Sequence, residues 1–387
     1  MKYQYFFRIF RFFIFVIICI NISLTFFSER SQYLSKTYWD RYPGLQKAYY
    51  DSIYANKKGT WLNDKILYSF AGGAFMKGVN PVLINPEVSP LGRYIIGLST
   101  VLFNNENVLN GFFVIMTLFL TYIISRQVVK SKTVALLPIF FLSFEPIFKN
   151  QIINTPLLDI MHAVFLLLFF YLFNKSLKSP QRSLLSIFLA NCALGCFIAT
   201  KFYILGLPIV IASIIVLINN KLKKHFLQFI LTLPIAIGIL LSTYIQAIIT
   251  GYPVSDFLGI QKWIFIYNSG HMQYPFSVWP LLMFNYWYVW WGNIPVLSDP
   301  QWFISWPILV IFTFLTLFLY LKKLIRTNKA VEILLVWVFA YLLMLSTSDA
   351  STRYFVILIP VLYIITIFCI EEIVNKLLVS KKFFTNI

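Results

Sequence analysis

Asp159 and His162 stand three residues apart, which on a helix places them on one face. Such a pair can share a hydrogen bond, or supply two ligands to a metal for which no third ligand is visible. Lys201 and Arg353 lie at the ends of apolar runs, where a long cation either reaches to lipid headgroups or has a functional role. Asp64, Glu87 and Arg93 fall in the polar stretch after the first apolar run, Glu145 ends another run, and His271 sits in a later polar stretch. Burying an ionisable group at a bilayer centre costs roughly 2.5–3.5 kcal/mol on insertion scales, so each is a functional hypothesis. No HExxH, no Cys/His ligand spacing and no glycine-rich phosphate loop occurs, so neither a structural zinc site nor a nucleotide is indicated.

The elements that must position these groups are read from the apolar pattern. Of 387 residues 59% are hydrophobic and only 12% charged, against about 25% charged in a soluble domain. Apolar runs near the roughly 20 residues needed to cross a bilayer recur along nearly the whole chain. An all-α polytopic membrane protein is expected, organised as one integrated membrane domain over 1–387, without internal repeats. The formal charge of +18 would suggest nucleic acid in a soluble protein. Here the basic residues cluster between apolar runs, which is the positive-inside pattern, and no nucleic-acid partner is expected. The four cysteines all lie inside apolar runs, so no disulfide framework is read.

Placing the basic clusters around Arg8, Lys130, Lys178, Lys223, Lys323 and Lys381 in the cytoplasm gives ten transmembrane helices with both termini cytoplasmic. The spans fall near 5–27, 108–127, 133–148, 156–174, 184–200, 202–219, 226–248, 303–321, 330–346 and 353–370. The first is read as an uncleaved anchor. Leu91–Phe103 is too short to cross and is expected to lie along the outer surface. Two substantial extracytoplasmic loops result, about 28–107 with juxtamembrane helices and about 250–302. The ionisable residues named above then gather on the outer side, which suggests a site at the outer leaflet rather than a channel. Trp279, Trp287, Trp290, Trp291, Trp302 and Trp306 crowd one outer region. An aromatic interface belt accounts for most of them, with stacking on a sugar or isoprenoid as the alternative.

Several short motifs resemble one family in order and spacing. Asp64-Lys-Ile-Leu-Tyr68, then Gly78-Val-Asn-Pro81, then Pro86-Glu-Val-Ser-Pro-Leu-Gly-Arg93 are similar to the first outer loop of GT-C-class glycosyltransferases. The likeness is to the protein O-mannosyltransferases and the lipid A aminoarabinose transferases. Leu157-Leu-Asp159, Thr200-Lys201-Phe202, His271 through Trp279-Pro280, Tyr286-Trp-Tyr288 and Arg353-Tyr354 with Pro360 extend it over about 63–363. The sequence departs at Lys65, where the family has a second acid, at Val88-Ser89, where it has His-Pro, and at Arg93, where it has Lys.

The resemblance implies transfer of a sugar from a polyprenyl-phosphate donor to a protein, lipid or glycan acceptor on the extracytoplasmic face of the cell membrane, with membrane lipids as surroundings. A single displacement by an acceptor hydroxyl needs a carboxylate base and inverts the anomeric centre. Asp64 is the preferred base, with Glu87 and Asp159 as alternatives; Arg93, Lys201 and Arg353 would hold the carrier phosphate; Tyr68, His271 and Trp279 would bind substrate. A competing reading makes Asp64 the N-cap of the helix that follows it. As to cofactors, a divalent metal is conceivable for such a reaction but no ligand set indicates one. A transporter or lipid flippase is the alternative function, and it predicts half repeats and mid-membrane charges that the sequence lacks.

Overall fold

The computed structural model describes residues 2–56, 59–178, 180–269, 273–289, 296–325 and 327–384. The chain is nearly all-α; its regular strands among the described residues are a two-residue antiparallel pair, Trp287–Tyr288 with Val296–Leu297. Among the described residues five helices are long and apolar enough to cross a membrane: Arg8–Ser28, Val108–Val128, Asp159–Lys178, Ser183–Thr200 and Lys223–Ser242. The molecule is a multi-pass membrane protein. Large apolar side chains such as Phe12, Leu24, Phe119, Leu185 and Leu231 remain exposed on its outside, which suits a lipid rather than an aqueous solvent.

Asp159–Lys178 and Ser183–Thr200 lie at the centre, where Phe169, Phe170, Phe173 and Phe197 are fully buried. Lipid tails are as apolar as the core, so helices in a membrane associate through close packing together with interhelical hydrogen bonds. Asn191 supplies two such bonds, to the Phe229 carbonyl at 3.1 Å and the Thr232 hydroxyl at 2.7 Å, and so ties Ser183–Thr200 to Lys223–Ser242.

Of the other expected spans, those near 202–219 and 303–321 are the shorter apolar helices Tyr203–Asn219 and Ser305–Leu321, and two more take a different form. The run 133–148 is not one straight crossing, because Val134–Phe144 and Pro146–Ile153 meet at a 61° bend. Pro146 has no N–H to continue the helical ladder, and Glu145 before it is extended at φ −62°, ψ 125°. The run 353–370 is replaced by a short 3₁₀ turn, Thr352–Phe355, and a helix that begins at Ile359 with Pro360 in its first turn. Arg353 therefore sits on a turn at a helix entrance.

The polar region after the first helix carries Arg30–Leu34, Tyr38–Tyr50, Asp64–Met76 and Leu91–Phe103. The last has the bounds expected from its apolar run, and its 13 residues span only about 20 Å at 1.5 Å per residue. Asn104 ends it in the left-handed region at φ 50° and accepts from the Trp39 N–H at 3.0 Å. Asn105 then donates to the carbonyls of Gln32, Tyr33 and Ser35, which pins the end of Leu91–Phe103 to the short helix Arg30–Leu34 and its C-cap.

Asp64–Met76 and Leu91–Phe103 cross with backbones nearly touching. A Cβ on Gly97 would lie 2.4 Å from the Gly72 carbonyl oxygen, and one on Gly72 would lie 2.9 Å from the Gly97 nitrogen. Since the clash is with backbone, no side chain can yield. Gly97→Val is expected to destabilise the fold by about 1–3 kcal/mol, in the range of overpacked cores, measured as a lowered unfolding temperature in detergent. An unchanged temperature would show that the two helices do not meet at these glycines.

Candidate functional site

Four charged side chains from four separate segments converge at one end of the bundle. Asp64 occupies the first turn of Asp64–Met76 and Asp159 the first turn of Asp159–Lys178, positions where the helix macrodipole favours a negative charge. Lys201 follows the last residue of Ser183–Thr200, in a non-helical conformation that breaks the helix before Tyr203. Arg353 comes from the turn Thr352–Phe355.

Asp159 is the hub. One of its oxygens accepts from Arg353 Nε at 3.2 Å and Nη2 at 3.0 Å; the other forms an ion pair with Lys201 Nζ. Arg353 Nη1 pairs with the Asp64 carboxylate. Asp159 is 2% exposed while Asp64 is 26% and Arg353 31% exposed, so the cluster has a buried floor and an open side. Burial opposes the Arg353 charge, but Asp159, Tyr68 and Asp64 outweigh it and hold the guanidinium well above its ordinary value. Burial pulls Lys201 below its ordinary value, against the attraction of Asp159. The Tyr68 side chain, one turn along from Asp64, is buried against Arg353. The Tyr354 ring lies 5.4 Å from the Lys201 ammonium.

The helix cap belongs to Asn63, whose side chain accepts from the Lys65 N–H at 2.9 Å. The N-cap reading of Asp64 is thereby corrected: Asp64 is inside the helix and its carboxylate is directed to Arg353. Lys65, which stands where the resembling family has an acid, turns away and donates to Gln32 Oε1 at 2.6 Å.

Glu87 lies on the loop between the short turn Pro81–Leu83 and Leu91–Phe103, and it accepts from the Asn85 amide. Burial pushes its carboxyl above the usual carboxylate range, Arg93 and Asn85 oppose this, and Asp64 adds a small upward push. Arg93 is not brought to the cluster. It is fully buried under the loop, and its Nη atoms donate to the carbonyls of Ile84 at 2.8 Å, Asn85 at 2.7 Å and Val88. Its observed task is to shape the loop that carries Glu87. Gly92, next to it, permits close approach, since a Cβ there would lie 2.7 Å from Leu158.

The expected pairing of Asp159 with His162 is absent. Two cations claim Asp159, while His162 is buried, stacks on Phe197 at 3.6 Å between ring centroids, and leaves Nε2 without a hydrogen-bond partner. Sharing a helix face was insufficient, because stronger ionic partners were available from other segments.

Trp279 is not at the cluster; its indole N–H donates to Ser346 Oγ at 3.0 Å. It belongs to a seam that sequence reading missed. Asp349 accepts from the backbone N–H groups of Tyr274 at 2.6 Å and Gln273 at 3.2 Å, and Asp299 accepts from Thr352 Oγ1 at 2.5 Å. Phe276 N donates to the Ser346 carbonyl at 2.8 Å. These bonds hold the segment before Arg353 against the 273–302 stretch. His271, Trp290 and Trp291 lie outside the described residues. Trp306 is not a belt residue: it is fully buried, and with Ser305 and Tyr363 it donates to Glu145. Trp302 likewise donates inward, to the Leu282 carbonyl at 3.1 Å.

Residues 86–245 match the family model described as dolichyl-phosphate-mannose-protein mannosyltransferase. That segment includes Glu87, Arg93, Asp159 and Lys201. Among solved structures, the chain is similar to ArnT from Cupriavidus metallidurans in the apo state, with TM-score 0.52 and 14% identity, covering 79% of this chain and 54% of that one. It is also similar to the oligosaccharyltransferase of Archaeoglobus fulgidus tethered to an acceptor peptide, with TM-score 0.50 and 14% identity, covering 87% of this chain and 49% of that one. The chain spans about half the length of either neighbour. No curated protein matches it in sequence.

Proposed function

We propose, starting from a GT-C-class, mannosyltransferase-like chain, that it transfers a sugar from a polyprenyl-phosphate carrier to an acceptor hydroxyl on the extracytoplasmic face, with inversion. The observation that carries this reading is the cluster of Asp64, Asp159, Lys201 and Arg353 at one end of an apolar bundle. A lipid-borne donor keeps its chain in the membrane and its phosphate at the boundary. Lys201 and Arg353 there supply two cations to hold that phosphate and to offset the charge that grows on it as the sugar departs. Asp159 touches both and sets their positions. Asp64, on the exposed side, is the base that takes the acceptor proton. Arg93 keeps the Glu87 loop in shape instead of touching phosphate. The acceptor is a protein, lipid or glycan.

The face follows from basic clusters on the opposite loops and from the need for a lipid donor where nucleotide sugars are absent. With Trp61→Cys, at a residue 71% exposed, and Lys130→Cys, at a side chain 76% exposed, a membrane-impermeant thiol reagent on intact cells is expected to modify only the former. Modification of the latter alone would invert the proposed orientation.

Arg353→Lys tests the phosphate assignment. Lysine keeps the charge but loses the planar fork that reaches two oxygens at once. The variant is expected to raise the donor KM and slow turnover, by about 1.5–3 kcal/mol as for a hydrogen bond to a charged group, with unchanged protein yield. Normal donor kinetics would mean that the phosphate binds elsewhere.

A further inference from the structure

Arg353 holds two carboxylates at once, and they are not equivalent. Asp159 engages Nε and Nη2 from a buried position and is shared with Lys201, while Asp64 engages Nη1 from the partly exposed side. Bidentate recognition of a phosphate by a guanidinium uses two adjacent N–H groups. With Nε and Nη2 committed to Asp159, the fork left for an incoming anion is Nη1 with the remaining Nη2 hydrogen. Asp64 already sits on that fork. The two ion pairs also differ in how readily they yield. An exposed pair is weak and easily exchanged, whereas removing one partner of a buried pair strands a charge.

We propose that the donor phosphate displaces Asp64 from Arg353, so that Asp64 becomes available as a base only after the donor is bound. The proposal rests on the donor reading above and adds an order of events to it. In the resting cluster two carboxylates balance two cations, and the Asp64 carboxylate is engaged by Arg353 Nη1. When the anionic donor takes over Arg353, Asp64 loses that partner and its carboxylate oxygens are open to the acceptor hydroxyl. The acceptor hydroxyl is therefore deprotonated only in the ternary complex. The Asp159–Lys201 pair stays closed throughout, as the fixed floor against which the exchange takes place.

The exchange is read by carboxyl labelling with a water-soluble carbodiimide and an amine on the full-length protein in detergent, with peptide mass spectrometry. The probe is sugar-free polyprenyl phosphate, whose binding is followed separately by native mass spectrometry. Asp64 labelling is expected to rise several-fold with the lipid while Asp159 stays unlabelled. In Arg353→Gln, Asp64 labelling is expected to be high with or without lipid. Lipid bound with Asp64 labelling unchanged or lowered would overturn the exchange and leave the donor reading standing. No lipid binding at all would overturn both.

Discussion

Asp64→Asn is expected to reduce sugar transfer by about 10²–10⁴-fold, the usual contribution of a general base, while leaving fold and donor binding in place. The structure removes the main confounding effect. The cap of Asp64–Met76 is made by Asn63, so the substitution does not touch helix initiation. The amide keeps the shape of the carboxylate and can still accept from Arg353, and the lost ion pair is partly exposed, where such pairs contribute about 0–1 kcal/mol. Transfer and stability should therefore separate. The check is turnover with saturating polyprenyl-phosphate sugar, alongside an unfolding temperature and a donor-binding measurement on the same preparation. Activity within a few-fold of wild type would make Asp64 a structural partner of Arg353 and bring Glu87, which lies within electrostatic range of it, to the front.

Asp159→Asn is expected to lose both transfer and stability. The carboxylate is 2% exposed and neutralises two cations, of which Lys201 is 13% exposed. Breaking a buried pair by removing one partner costs about 3–5 kcal/mol, because a charge is left without its counter-ion. The expected readout is a large drop in unfolding temperature, partly restored when Lys201→Met is added, since the stranded ammonium is then gone. Such partial recovery is the signature of coupling in a double-mutant cycle. If Asp159→Asn unfolds like wild type, or if Lys201→Met only adds to the damage, the buried pair is not formed as described.

The residues of the cluster were legible in sequence to different degrees, for physical reasons that differ. Leu91–Phe103 was bounded correctly because a short apolar run with a clear end signal at Asn104 fixes a helix locally. Lys201 and Arg353 stood out as cations at the edge of apolar runs, where anchoring to lipid headgroups was an equally open reading. What could not be read was which acid each cation would meet. Asp159 and His162 share a helix face, yet ion pairing across 42 and 194 residues of sequence took Asp159 away from its near neighbour. Arg93 looked equivalent to Arg353 from topology alone. Only the fold shows that three carbonyls of its own loop use its guanidinium. Trp306 illustrates the same limit, since an indole at the end of an apolar run suits a membrane boundary as well as a buried carboxylate such as Glu145. The run 133–148 reads as one span because its apolar content is continuous, which passes over the break that Pro146 imposes at Glu145.

The most direct test of the central claim is the fate of a radiolabelled polyprenyl-phosphate sugar incubated with the purified protein in detergent, with membrane acceptors and no ion or voltage gradient. A glycosyltransferase with this site consumes the donor, and polyprenyl phosphate appears in equal amount with labelled acceptor. A donor left intact by folded wild-type protein that binds it, under conditions where a known GT-C transferase turns over its own donor, would contradict the account.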